Sequence, residues 1–129
     1  MKTYLTYILL ISICLSCGKK PPVPEVEENI VFELNTGQAA ISTSSSYTFN
    51  VAVKSKLPKA GVRIELSAAE EAGGAAVTPQ NAPINASTAS TDVTVQNLPR
   101  QKWVIATVKV TSISTATNTS TQTFRVVYK

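Results

Sequence analysis

The chain has 129 residues, a net charge of +4, two cysteines and no histidine. This length suits one domain. The missing histidine excludes Ser-His-Asp and Cys-His catalytic groups and histidine-liganded zinc. The composition therefore predicts a protein that is not an enzyme, with no catalytic residues, no metal and no other cofactor.

The chain begins with a short apolar segment. Lys2 precedes an apolar stretch over residues 5–15, and Ser16 and Cys17 follow it. The stretch is too short for a membrane-spanning helix, which takes about 20 apolar residues. A basic start, an apolar centre and a small residue before the cleavage point are typical of a secretory signal. An N-terminal strand buried in the fold is an alternative interpretation.

A cysteine directly after the small residue resembles the processing site of bacterial lipoproteins. The sequence that carries the resemblance is Leu15-Ser16-Cys17-Gly18, with Cys14 where that family usually has leucine. The resemblance implies a signal peptide over 1–16 and a lipid-modified Cys17. It also implies attachment to the bacterial cell envelope, at the outer membrane or cell surface. An ordinary secretory signal is the alternative.

Residues 17–29 are predicted to be the lipidated N-terminus and a proline-rich tether. Pro21, Pro22 and Pro24 fix φ and favour an extended, semi-rigid spacer. At about 3 Å per residue, such a spacer holds a domain about 30 Å from the membrane. The tether thus separates the anchor from whatever follows.

From residue 30 onward, apolar residues recur at every second position. This alternation predicts strands with one buried and one solvated face. The predicted strands cover residues 30–34, 47–54, 62–67, 91–96, 102–113 and 121–128.

Residues 67–90 carry conflicting signals. Ser67 and Glu70 have the spacing of a helix capping box, but Gly73-Gly74 would end such a helix after about one turn. We therefore predict a loop or hairpin tip here, with a short edge strand over 75–78.

Six strands, one short strand and no convincing helix predict an all-β sandwich over residues 30–129. The segment 91–128 resembles the last three strands of an immunoglobulin-like or fibronectin type III module, through Val93-x-Val95-x-x-Leu98-Pro99 and Val104-x-Ala106-x-Val108-x-Val110. The resemblance implies an immunoglobulin-like antiparallel β-sandwich of about seven strands. Those modules usually carry an inward corner tyrosine, whereas the nearest aromatic residue here is Trp103.

Three placements of Trp103 follow from the pattern, one of which is partial burial at a sheet edge with no ligand. With a bulge in the strand, Trp103 would pack under Leu98 and close the core. With strict alternation it would share an outer face with Ile105. An exposed aromatic ring suits stacking on a sugar or docking a protein, so Trp103 is the candidate ligand contact.

The acidic residues give no catalytic pair. Glu33 and Glu65 fall on predicted outer faces, and Glu70, Glu71 and Asp92 lack the spacing of an Asp-rich calcium loop. These side chains are predicted to be solvated surface charges.

The sequence thus predicts a lipid-anchored envelope protein with a binding or adhesion domain, whose partner is a polysaccharide or an envelope protein. The alternative is an accessory lipoprotein that docks onto a larger envelope complex through a strand edge. No nucleic-acid partner is expected, because the basic residues are scattered and the predicted location is outside the cell.

Overall fold

The computed structural model describes Gly18 and residues 25–129, so the predicted signal peptide and Cys17 lie outside the described residues. Residues 25–129 contain eight strands. Their bounds are β1 Phe32–Leu34, β2 Ala39–Ser42, β3 Tyr47–Val53, β4 Val62–Glu70, β5 Ile84–Ala86, β6 Ser90–Val95, β7 Trp103–Ser112 and β8 Thr119–Tyr128.

The strands form two sheets. The three-stranded sheet has the order β1-β3-β6, and the five-stranded sheet has the order β2-β8-β7-β4-β5. Neighbours are antiparallel except β2 and β8, which run parallel. The two N-terminal strands lie in different sheets: β1 belongs to the three-stranded sheet and β2 to the five-stranded sheet. The predicted all-β sandwich is confirmed, with eight strands where about seven were expected and one parallel pair, β2 with β8, where antiparallel pairing was expected.

The inward faces of the two sheets enclose one apolar core. Alternate valines and alanine of β7 are fully buried, as the period-two pattern predicts: Val104, Ala106, Val108 and Val110 are each 0% exposed. Across the core, the rings of Phe49 and Phe124 meet edge to face with centroids 4.8 Å apart. Such pairs add about 0.5–1.5 kcal/mol to the stabilisation from burial.

The segment from Ser67 to Glu70 is strand, so the prediction of a loop or hairpin tip that begins at residue 67 is wrong there. It continues β4 and pairs with β7 up to Glu70, which lies opposite Val104. Ala68 is buried in the core, so packing against the other sheet outweighs the local capping signal. Gly73 and Gly74 then form the turn with positive φ angles.

The edge strands were predicted less accurately than the central ones. The expected strand over 75–78 is reduced to a single bridge between Ala76 and Ala69. The short strands β2 and β5 were missed, because three or four residues are too few for a clear alternation.

The sandwich has two distinct ends. Ile113 N–H donates to the Gly61 carbonyl, which joins two loops at the tether end, where residues 25–30 lie. Leu98 N–H donates to the Ser45 carbonyl and joins two loops at the opposite, distal end. A ten-residue strand such as β7 runs about 30 Å from the distal end to the tether end. Within the described part of the chain, no helix has the length and apolar character to span a membrane.

Candidate binding surface at the distal end

The strand register brings apolar side chains together on the outer face of the five-stranded sheet. Trp103 on β7 lies opposite Val127 on β8, and Val127 lies beside Ile41 on β2. The adjacent row contains Ile105 opposite Arg125. We call these five residues, Ile41, Trp103, Ile105, Arg125 and Val127, the distal patch.

The distal patch combines exposed and covered apolar groups. Ile41 is 58% exposed and Ile105 is 36% exposed. Trp103 is half-buried, whereas Val127 is only 4% exposed although it faces outward. Val127 is flanked by Trp103 and Ile41 at paired positions, so the patch is a small packed cluster and not a set of isolated side chains.

Arg125 lies across the indole of Trp103. Its guanidinium carbon is 4.4 Å from the ring centroid, a cation–π contact. Its Nη2 donates a 2.7 Å hydrogen bond to Glu71 Oε2. The Glu71 backbone N–H in turn donates to the Trp103 carbonyl at 2.8 Å. One face of the indole is therefore occupied by a guanidinium that Glu71 holds in place.

Of the three predicted placements of Trp103, the structure has the outer one, although the side chain is half-buried; β7 is a central strand, so Trp103 is not at a sheet edge. The register between β7 and β8 is continuous from Trp103 to Thr111, without a bulge. Trp103 consequently stays in phase with Ile105. The placement under Leu98 is wrong: Leu98 is 3% exposed and belongs to the core, while Trp103 is on the opposite side of the sheet.

Each of the acidic candidates is paired with a cation or an amide. Glu33 Oε2 is 3.5 Å from Lys54 Nζ, and Glu65 Oε2 is 3.9 Å from Lys109 Nζ. The remaining contacts are Glu70 with Lys102 at 3.1 Å, Glu71 with Arg125 at 2.7 Å and Asp92 with the Asn50 amide at 2.9 Å. Residues 25–129 contain no group of three side chains suited to hold a metal ion.

Charge is distributed unevenly between the two ends. The distal end carries four basic and two acidic residues: Arg100, Lys102, Arg125 and Lys129 against Glu70 and Glu71. The tether end carries four basic and four acidic residues: Lys54, Lys56, Lys59 and Arg63 against Glu25, Glu27, Glu28 and Glu33. The distal end is therefore net positive, and the tether end has no net charge.

The last residues of the predicted tether are bound to the sandwich. Glu25 pairs with Lys56 and with Lys59, the latter at 3.1 Å. Glu27 accepts hydrogen bonds from Ser114 and, at 3.3 Å, from Asn118 Nδ2. These contacts place the entry of the chain at the tether end.

Asn118 bridges the tether and the β7–β8 turn through its amide. Its Nδ2 donates to the Glu28 carbonyl at 2.9 Å, and its Oδ1 accepts from Ile30 N–H at 3.0 Å. Glu28 Oε2 also accepts from Lys56 N–H at 3.1 Å. Backbone and side-chain contacts together hold residues 25–30 against the β3–β4 loop, which contains Lys56, and the β7–β8 turn, which contains Asn118.

The contacts between the tether and the sandwich shift the pKa values of Glu25, Glu27 and Lys56. Hydrogen bonds from Lys56 and Lys59 hold the pKa of Glu25 below its ordinary value. The Ser114 hydroxyl lowers the pKa of Glu27 in the same way. The hydrogen bond to Glu25 raises the pKa of Lys56. These contacts favour the charged form of each group.

The predicted lipidation site, Cys17, is outside the described residues, and of the predicted site residues only Trp103 can be placed. Sequence reasoning missed Arg125, Glu71 and Ile41 as its neighbours. Alternation around Phe124 and Val126 does place Arg125 on an outer face, but nothing in the sequence pairs β8 with β2.

Comparisons with protein-family models, curated proteins and solved structures found no match to this chain.

Proposed function

We propose that this protein is a lipid-anchored component of the bacterial cell envelope whose non-catalytic β-sandwich binds a partner through the distal patch. The observation that carries the proposal is the position of the patch relative to the tether. Residues 25–30 are bound at one end of the sandwich, and Trp103 lies at the opposite end of the ten-residue strand β7.

Anchoring at the N-terminus gives this arrangement a functional consequence. With Cys17 in the bilayer, the tether end faces the membrane and the distal end points away from it. The strand length adds about 30 Å to the reach of the proline-rich spacer. The distal patch then stands where a partner outside the membrane meets it first.

The composition of the distal patch supports a binding role. Exposed apolar clusters are uncommon on isolated domains, and they mark interaction sites when polar residues surround them. Tryptophan and arginine are enriched among the residues that dominate binding energy at interfaces. Here both occur in contact, between two exposed isoleucines.

A second candidate function is assembly of a larger envelope complex through the edge of β2. This strand ends the five-stranded sheet, and the segment 39–46 contains no charged residue and no proline to block pairing. A partner strand added there would lie next to Ile41. Recovery of a fixed-stoichiometry envelope complex that Ile41→Pro abolishes would favour this function.

The anchoring part is tested with Cys17→Ser and its matched control Cys14→Ser. Cells carrying each variant are labelled with palmitate and separated into membrane and soluble fractions. Cys17→Ser should lose the label and leave the membrane fraction as a soluble or unprocessed product, whereas Cys14→Ser should keep both properties. Retention of label and membrane attachment in Cys17→Ser would contradict the proposal.

A further inference from the structure

Resting on the binding role proposed above, we infer that the distal patch recognises an acidic segment of a partner protein in which a carboxylate side chain stands next to an apolar one. Arg125 supplies the charge, and Ile41 and Ile105 supply the apolar contacts. Three observations support this inference: the fixed position of the Arg125 guanidinium, the exposed aliphatic side chains beside it and the net positive charge of the distal end.

Arg125 is held in position to receive a carboxylate. The cation–π contact, with the guanidinium carbon 4.4 Å from the Trp103 ring centroid, and the 2.7 Å bond from Nη2 to Glu71 together hold the guanidinium in place. Among the described residues, Glu71 is the one acceptor for this side chain, which is 46% exposed. A guanidinium carries five N–H donors, so several remain directed away from Glu71. A planar, immobilised fork of this kind binds a carboxylate with little further loss of entropy.

The neighbours of Arg125 favour a protein over a polysaccharide. Stacking of a sugar requires an open aromatic face, whereas the Arg125 guanidinium occupies one face of Trp103. Ile105 lies directly opposite Arg125 on β7, and Ile41 lies on the far side of β8. Both present exposed branched aliphatic surface, which suits leucine, valine or phenylalanine side chains of a protein.

The charge of the distal end complements an acidic partner. Arg100 and Lys129 are exposed, and neither forms an ion pair with any described residue. Lys102 and Arg125 pair with Glu70 and Glu71. The surplus of positive charge accelerates encounter with an acidic surface and opposes a basic one.

Glu71 gives the inference a directional test. Its carboxylate competes with that of the partner for the same guanidinium. Loss of the Glu71 charge should therefore strengthen binding, while loss of the Arg125 charge should weaken it. If the Glu71–Arg125 pair only stabilised the fold, loss of either charge would change binding in the same direction.

The experiment uses the full chain, purified in mild detergent, and its single tryptophan as the reporter. A random-peptide library displayed on phage is selected against the protein, and the enriched peptides are synthesised and titrated by Trp103 fluorescence. Polygalacturonate and a neutral glucan are titrated in parallel. Arg125→Gln and Glu71→Gln are compared with Arg63→Gln, a variant at the far end of the same outer face.

We expect enriched peptides that contain Asp or Glu beside an apolar residue. Their affinity should fall about tenfold or more in Arg125→Gln, rise about threefold in Glu71→Gln, stay unchanged in Arg63→Gln and weaken with added salt. Enriched peptides without acidic residues, or unchanged affinity in Arg125→Gln, would overturn the inference. Binding of polygalacturonate or glucan without peptide binding overturns it but leaves the proposed binding function standing. Absence of binding to every probe overturns both.

Discussion

The guanidinium of Arg125 on β8 lies 4.4 Å from the ring centroid of Trp103 on β7, and the same guanidinium is bonded to Glu71 beyond β4. One side chain thus connects three neighbouring chain segments on the outer face of the sheet. Because Trp103 is the single tryptophan of the chain, its fluorescence reports directly on this contact.

Arg125→Gln should shift the emission of Trp103 to longer wavelength and increase its quenching by acrylamide. The reason is that the guanidinium covers one face of the ring. The expected loss of stability is about 1 kcal/mol, the value of a surface cation–π contact. Urea unfolding measures it. Arg63→Gln removes an arginine from the same outer face, where it pairs with Glu65, and should leave the emission maximum unchanged.

Acid should release residues 25–30 from the sandwich. The pKa values of Glu25 and Glu27 lie below the ordinary 4.5 in the folded protein, so their stabilising contribution is fully present above pH 4.5 and is lost as the pH falls through the lowered values. Lys56 has a raised pKa, so its contribution is present below 10.5 and is lost only above that pH. The tether should therefore stay bound through the neutral range.

The backbone amide of Ile30 reports this release, because it donates to Asn118, whose amide also donates to Glu27. Its chemical shift, followed by nuclear magnetic resonance, should change with a midpoint below pH 4.5. Glu27→Gln should remove most of the change at Ile30, whereas Glu65→Gln, which lies away from the tether, should preserve it. A titration that is the same in wild type and Glu27→Gln would refute this account.

Gly61→Ala should be strongly destabilising. Gly61 has a φ of +85°, and an added Cβ would run into the carbonyl group of Ala86, whose carbon is 3.2 Å away. Strain and overlap together should cost about 2 kcal/mol or more. Gly37→Ala is the matched control, since Gly37 also has a positive φ, +63°, but has no atom within 4 Å of the added Cβ. Equal losses in urea unfolding would show that the contact with Ala86 has no effect.

Phe124→Ala should destabilise the sandwich by about 3–5 kcal/mol, because it leaves a cavity between the sheets. Phe124 is 2% exposed and meets Phe49 edge to face. Ile41→Ala, in the distal patch, removes a side chain that is 58% exposed and should change stability by less than about 0.5 kcal/mol. Thermal or urea unfolding distinguishes the two. A large loss in Ile41→Ala would mean that the distal patch belongs to the fold instead of being a free surface.

The long central strands could be predicted from the sequence because burial on one face imposes a period of two. Val104, Ala106, Val108 and Val110 alternate with Ile105, Thr107 and Lys109, and the structure buries the expected set. The same reasoning failed at Ser67–Glu70, where a loop was predicted because the local signals conflict, but the structure continues β4 and pairs it with β7. It also missed β2 and β5, whose pairing depends on strands distant in the sequence.

The sequence by itself determined the all-β class, the inward face of each long strand and the presence of a single tryptophan beside the start of β7. These properties follow from local alternation and composition. The tertiary structure alone decided that Trp103 meets Arg125 and Glu71, that Ile41 lies across Val127 from Trp103, and that this cluster lies opposite the tether. The physical reason is that strand order and register are set by packing between segments far apart in the chain, and alternation within one strand carries no information about its neighbours.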